Sequence, residues 1–172
     1  LSVTAINADL RDAPWGFFKC RVLASGLDSL EARIALNRIA RRMGVPWVDA
    51  GVDPSHHLAR VSVYSPKATD PCFECALQPE DYQLLGSRHP CDAGGAGPDS
   101  PIATNGSFAL GKLAAALLAI ELTNVLSGRA DRAFFNRELV VDAANHAQVV
   151  TRFARQRSCQ CDHRRIPISC LQ

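Results

Sequence analysis

The chain has 172 residues, of which 47% are hydrophobic and 21% charged, a composition typical of a folded domain with a sizeable core. The net charge is only +2, so no overall field indicates nucleic acid or a membrane surface as the partner. The seven cysteines are an odd number, which excludes complete disulfide pairing within one chain. No signal peptide is recognisable, so we expect a reducing, cytoplasmic compartment.

The first third of the chain is predicted to form two strands, a helix and a third strand. Residues 1–10 (LSVTAINADL) alternate apolar and polar side chains, as a half-buried strand does. The apolar run FFKCRVLAS, residues 17–25, indicates a buried strand, and VPWVDAGV, residues 45–52, indicates another. A strand, a helix and a strand in this order predict a parallel pair.

The intervening helix is the clearest in the sequence. Apolar residues such as Leu30 and Ile34 recur at helical spacing among charged ones. Asp28 stands three residues before Glu31, which fits a capping arrangement at the N-terminus of a helix. Gly44 is placed to end the helix.

The pattern then changes to period-two alternation. LARVSVYSP, residues 58–66, is expected to pair antiparallel with 45–52 across the turn at 53–57. Residues 78–105 form a long polar stretch rich in glycine and proline. Residues 133–155 are predicted to form a hairpin that turns near Ala144 and Asn145.

Between loop and hairpin lies FALGKLAAALLAIELTNVL, residues 108–126, which predicts a long apolar helix. Lys112 and Glu121 interrupt it and leave an uncharged run too short to span a bilayer. We therefore expect a buried central helix and no membrane partner.

Two close cysteine pairs occupy distant parts of the chain: Cys72 and Cys75 in PCFEC, and Cys159 and Cys161 in SCQCDH. A structural zinc needs four such ligands, so the pairs predict a site that fixes the tail to the middle of the chain. The alternatives are unpaired structural thiols or a redox CxxC.

The order of these features resembles the C-terminal half of the ThiF/MoeB/HesA family, which activates ubiquitin-like proteins. The resemblance rests on the order of the following features: a strand that ends in Asp, a helix carrying EARIALN, VPWVDAGV, a period-two strand, the CxxC, a long loop with a cysteine, the apolar helix, the hairpin and the terminal cysteine pair. It covers nearly the whole chain and implies that residues 1–172 are one domain, whose N-terminal nucleotide-binding half is absent.

The resemblance implies a Rossmann-like mixed α/β sheet with flanking helices, to which antiparallel strands are added after the CxxC. It further implies ATP and magnesium as cofactors, a structural zinc on four cysteines, and a homodimer. The partner would be a ubiquitin-like or sulfur-carrier protein whose C-terminal Gly-Gly is adenylated.

Residue by residue, the resemblance assigns Asp28 to the nucleotide and its magnesium, with Ser29 at the next position, where the family commonly has Asn. The alternative for Asp28 is a plain helix cap. Cys91 falls in the loop where several relatives carry a conjugating cysteine, so it is the candidate catalytic thiol; the alternative is an inert loop thiol.

The sequence departs from the family pattern in two places. No GxGxxG follows a strand, so we expect this piece alone to be inactive, with the phosphate cradle supplied elsewhere. The second cysteine pair is CxC where the family has CxxC, which makes Cys159 with His163 an alternative to Cys159 with Cys161. A non-catalytic, zinc-stapled module that docks a ubiquitin-like protein or a partner subunit is the alternative function.

Overall fold

A five-stranded mixed sheet forms the centre of this computed structural model, which describes residues 3–83, 85, 108–129, 132–161 and 163. The strands are β1 (Leu23–Ser25), β2 (Trp47–Asp53), β3 (Leu58–Tyr64), β4 (Arg137–Asp142) and β5 (Ala147–Arg152). They follow one another across the sheet in chain order; β1 and β2 are parallel and the other neighbours antiparallel. The predicted mixed α/β sheet, its parallel pair and its final hairpin are confirmed.

The helices are α1 (Leu30–Met43), α2 (Pro79–Gln83) and α3 (Phe108–Leu126), with short 3-10 turns at Trp15–Phe18 and Phe73–Ala76. The helix α1 begins where the hydroxyl of Ser29 accepts a hydrogen bond from the backbone N–H of Ala32 at 3.1 Å. The cap is therefore Ser29, and the prediction of a cap at Asp28 is wrong by one residue. Gly44 ends the helix in the left-handed conformation, with φ at 66°.

The two faces of the sheet bury different kinds of side chain. On one face, Trp47 and Tyr64 lie opposite each other in the register of β2 and β3 and stack with ring centroids 4.7 Å apart. Phe73, from the turn of the CxxC, meets the Trp47 ring edge-on. The other face carries Val48, Val61 and Val63, which pack against leucines of α3. The aromatic contacts on the first of these faces therefore hold the CxxC turn against the sheet.

Three predictions about elements are corrected by the structure. Residues 3–8 form no strand, and Val3 is 84% exposed, because no neighbouring strand pairs with this segment. Residues 17–25 form the end of a 3-10 turn and the three-residue strand β1, and Cys20 is exposed rather than buried.

The helix α3 has the predicted bounds but not the predicted burial. Within it only Leu110 and Ala114 are buried, and one face packs against β2 and β3. By length and hydropathy alone this helix could cross a membrane. A single helix of this kind is only weak evidence of a membrane span. The predicted loop at 78–105 lies for the most part outside the described residues.

Candidate functional site

Three cysteines and a histidine from the middle and the end of the chain converge on one point. The side-chain ligand atoms of Cys72, Cys75, Cys159 and His163 all lie within 4.8 Å of one another. The Sγ of Cys72 is 3.9 Å from that of Cys75 and 3.7 Å from that of Cys159. The Nε2 of His163 lies 3.3 to 3.6 Å from the three sulfur atoms. The PCFEC turn and the SCQCDH segment therefore meet, as the spacing of the cysteines led us to expect.

The CxxC is shaped by a 3-10 turn and anchored to α1. The backbone N–H of Cys75 donates to the carbonyl oxygen of Cys72 at 3.0 Å, which closes the turn and turns both thiols the same way. Glu74, between them, is fully buried and accepts two hydrogen bonds from Arg38, at 3.0 and 2.8 Å. The side chain of Asn37 also donates to Glu74 at 3.0 Å. Two residues of α1 thus fix the turn that holds the first cysteine pair.

Cys161 belongs to the same buried cluster but not to the group of four. It is 5% exposed and is clustered with Cys72 and Cys75. A hydrogen bond with the Cys161 thiol, aided by burial, raises the pKa of Cys72 to about 12. Cys161 and His163 are therefore the two candidates for a fourth ligand beside Cys72, Cys75 and Cys159.

The protonation of these thiols bears on the redox alternative. A hydrogen bond with Cys72, followed by burial, raises the pKa of Cys75 as well. Reactive thiols of redox CxxC motifs have lowered pKa values, because the thiolate is the nucleophile. The pKa values of Cys72 and Cys75 are raised instead, which disfavours a redox role.

His163 is held from its far side by Arg41. A terminal nitrogen of the Arg41 guanidinium lies 2.7 Å from Nδ1 of His163. A guanidinium has donors only, so Nδ1 accepts this hydrogen bond and the opposite nitrogen, Nε2, faces the sulfur atoms. Burial, and then the charge of Arg41, lower the pKa of His163, so the ring is neutral at pH 7.

A second position of interest lies at the carboxyl end of β1. Ser25 ends the strand, and the exposed Asp28 stands in the turn before α1. Ligands of α/β sheets bind at the carboxyl ends of such strands. Within the described part of the chain the carboxylate of Asp28 has no hydrogen-bond or ion-pair partner, whereas Ser29 caps the helix.

Beside this position lies a buried polar cluster that the sequence did not reveal. Asp49 is fully buried on β2 and accepts hydrogen bonds from Ser25 at 2.6 Å, Arg33 at 3.0 Å and Arg60 at 3.1 Å. Arg33 forms an ion pair with Asp49, and its side chain is only 15% exposed. No local spacing marks Asp49, because its partners come from three different elements.

Cys91, the predicted catalytic thiol, and Cys170 lie outside the described residues. The proposed role of Cys91 stays a prediction.

The comparisons with known proteins agree with this architecture. The chain matches the ThiF family over residues 2–163. Because the match covers nearly all of it, the chain belongs to the ThiF family. A search of curated proteins found no match.

Among solved structures, E. coli MccB has a similar fold. Its complex with AMPCPP and MccA is 18% identical with a TM-score of 0.56, covering 83% of this chain and 39% of MccB. Its complex with ATP is 17% identical with a TM-score of 0.56, covering 81% and 38%. At such identities the likeness shows the fold, and this chain spans about two fifths of the length of MccB.

Proposed function

We propose that this chain is the C-terminal part of a ThiF-type enzyme that adenylates the C-terminus of a ubiquitin-like or sulfur-carrier protein with ATP and magnesium. The observation that carries the proposal is the ThiF match over residues 2–163. MccB, whose fold is similar, has been solved with ATP and with MccA, which supports a nucleotide and a polypeptide partner for this chain as well.

Within this proposal Asp28 is the residue that meets the nucleotide. Its carboxylate is exposed at the carboxyl end of β1, where it is available to the magnesium of ATP. Ser29 fixes the start of α1 and with it the turn that presents Asp28. The glycine-rich phosphate loop would come from residues outside these 172, in the same protein or in a partner protomer of a homodimer.

Pyrophosphate exchange tests this role. In the full protein with its polypeptide substrate, Asp28→Asn should reduce ATP–pyrophosphate exchange by about 100-fold or more, because a magnesium-contacting carboxylate stabilises the charge of the transition state. The thermal stability should be almost unchanged, since Asp28 is exposed.

Asp12→Asn is the matched control, because Asp12 is also an exposed aspartate of the N-terminal region and should leave exchange unchanged. Full exchange in the Asp28 variant would remove the assigned role. Absence of exchange in the unaltered full protein, with every ubiquitin-like or sulfur-carrier partner tried, would count against the enzyme itself.

We propose further that Cys72, Cys75 and Cys159 bind a structural zinc ion, with His163 or Cys161 as the fourth ligand. Thiolates and a neutral imidazole are the ligands that zinc prefers. The sulfur–sulfur distances of 3.7 and 3.9 Å fit a tetrahedron with Zn–S bonds of 2.3 Å, whose edge is about 3.8 Å. Such a zinc would hold the tail against the CxxC turn, and its thiolates fit a reducing, cytoplasmic location.

Exposed apolar side chains favour one alternative, a non-catalytic module that docks a partner. Phe108 and Ile120 of α3 are 80% and 56% exposed, and Val149 and Val150 of β5 are 60% and 53% exposed. Stable binding of a ubiquitin-like protein without any pyrophosphate exchange would favour this second function.

A further inference from the structure

Arg41 is a buried cation that has no acidic partner within the part of the chain that the structure describes. The residue is 3% exposed, and its guanidinium donates to the carbonyl oxygens of Ser65 at 2.9 Å, Ala68 at 3.3 Å and Asp70 at 3.0 Å, and to His163. Among the described residues no carboxylate oxygen lies within 4.0 Å of it.

Three other arginines, in contrast, each have an acidic partner. Arg33 and Arg60 share the carboxylate of Asp49, and Arg38 pairs with Glu74. Four neutral acceptors bind the guanidinium of Arg41, and no anion among the described residues balances its charge. A buried charge without a partner of opposite sign is costly, so an anionic group next to Arg41 is expected.

A loaded metal centre would supply that charge. Three thiolates and a zinc ion sum to −1 with a neutral His163 as the fourth ligand, and to −2 with the thiolate of Cys161. In either case the negative charge lies against the His163 ring, whose opposite edge is 2.7 Å from Arg41. The ring of His163 thus stands between the guanidinium of Arg41 and the three sulfur atoms.

We propose that Arg41 is the countercharge of the metal centre, coupled to it through the ring of His163. This inference rests on the proposed zinc site. It assigns to Arg41 two effects: its positive charge would balance the net negative charge of the loaded centre, and its hydrogen bond fixes the orientation of the His163 ring. A residue of α1 would thereby set how tightly the tail is held.

Metal affinity tests the proposal in the full protein. Arg41→Met keeps much of the apolar stem and removes the charge; it should weaken zinc binding by about 10- to 100-fold in competition with a chromophoric chelator. Arg41→Lys keeps the charge and should retain most of the affinity. Arg42→Met is the control, because Arg42 is the next residue of α1 and lies over the Trp15 ring instead of the cluster.

Thermal unfolding with and without zinc separates this role from a merely structural one. If Arg41 is the countercharge, Arg41→Met should lower the melting temperature of the zinc-bound protein more than that of the metal-free protein. If Arg41 only forms hydrogen bonds with the carbonyl groups of residues 65–70, the melting temperatures of the zinc-bound and metal-free protein should fall equally. Zinc affinity should then not change.

The second result would overturn the inference and leave the zinc site standing. So would an Arg41→Lys variant whose zinc affinity falls about 10- to 100-fold below that of the unaltered protein, a result that can be obtained even if the methionine variant does not fold. Failure of the unaltered protein to bind zinc at all would instead remove the proposed metal site, and the inference with it.

Discussion

Asp49 is the residue on which the polar side of the sheet depends. Its fully buried carboxylate receives hydrogen bonds from two arginines and a serine. In Asp49→Asn an amide N–H₂ would face these donors and the guanidinium groups of Arg33 and Arg60 would lose their shared anion. We expect the free energy of unfolding, measured by urea denaturation, to fall by about 3 kcal/mol.

Asp53→Asn is the control for this change, since Asp53 ends the same strand but binds an exposed turn through His56. Asp53→Asn should lower the free energy of unfolding by less than about 1 kcal/mol. Equal losses in the two variants would contradict the account of the Asp49 cluster.

At this scale the sequence could reveal residues whose chemistry is unusual and whose spacing is local. The four cysteines stood out because thiols are rare and come in two close pairs. Asp49, Glu74 and Arg41 could not be recognised in the same way. Their side chains meet partners 8 to 122 positions away, and an ordinary aspartate, glutamate or arginine predicts a solvated surface.

The cap of α1 shows the limit of local spacing. Asp28 and Ser29 are both good capping residues, and the glutamate three positions after Asp28 favoured the first. The structure uses Ser29, which leaves the carboxylate of Asp28 available at the carboxyl end of β1.

Among the elements, α3 depends on a narrow contact with the sheet. Ala114 is 5% exposed and packs with Ala50 and Ala59, so the helix approaches the strands through small side chains. Ala114→Leu would force a larger side chain into this contact. We expect a loss of about 1–3 kcal/mol in the free energy of unfolding.

Ala115→Leu, one position further along and exposed, should change stability by no more than about 0.5 kcal/mol. A similar loss in both variants would show that helix propensity, and not packing against the sheet, determines the result.

The bounds of α3 could be predicted from the sequence, but its burial could not. The segment is apolar on all sides, so its pattern gives no buried face and favours a central helix. The prediction of a strand at residues 1–10 was wrong for a different reason. The alternation of this segment fits a strand, yet no strand lies beside it. Pairing partners, not periodicity, decide whether a strand forms.

At the scale of the whole molecule, a ThiF-type sheet carries a tail that the proposed zinc ion would hold in place. The order of elements made the family recognisable, because each element of this order stands at a distinctive position in the chain. The CxC spacing did not identify the fourth ligand, since Cys161 and His163 are both brought to the cluster.

Zinc content of the freshly purified, reduced protein tests the central claim most directly. The account predicts one zinc ion per chain, lost in Cys72→Ser together with a fall in melting temperature like that caused by chelation of the unaltered protein. Comparing Cys161→Ser with His163→Asn then identifies the fourth ligand, since only its loss should abolish stoichiometric binding. A zinc-free protein, or a Cys72→Ser variant with unchanged zinc content and melting temperature, would contradict the account.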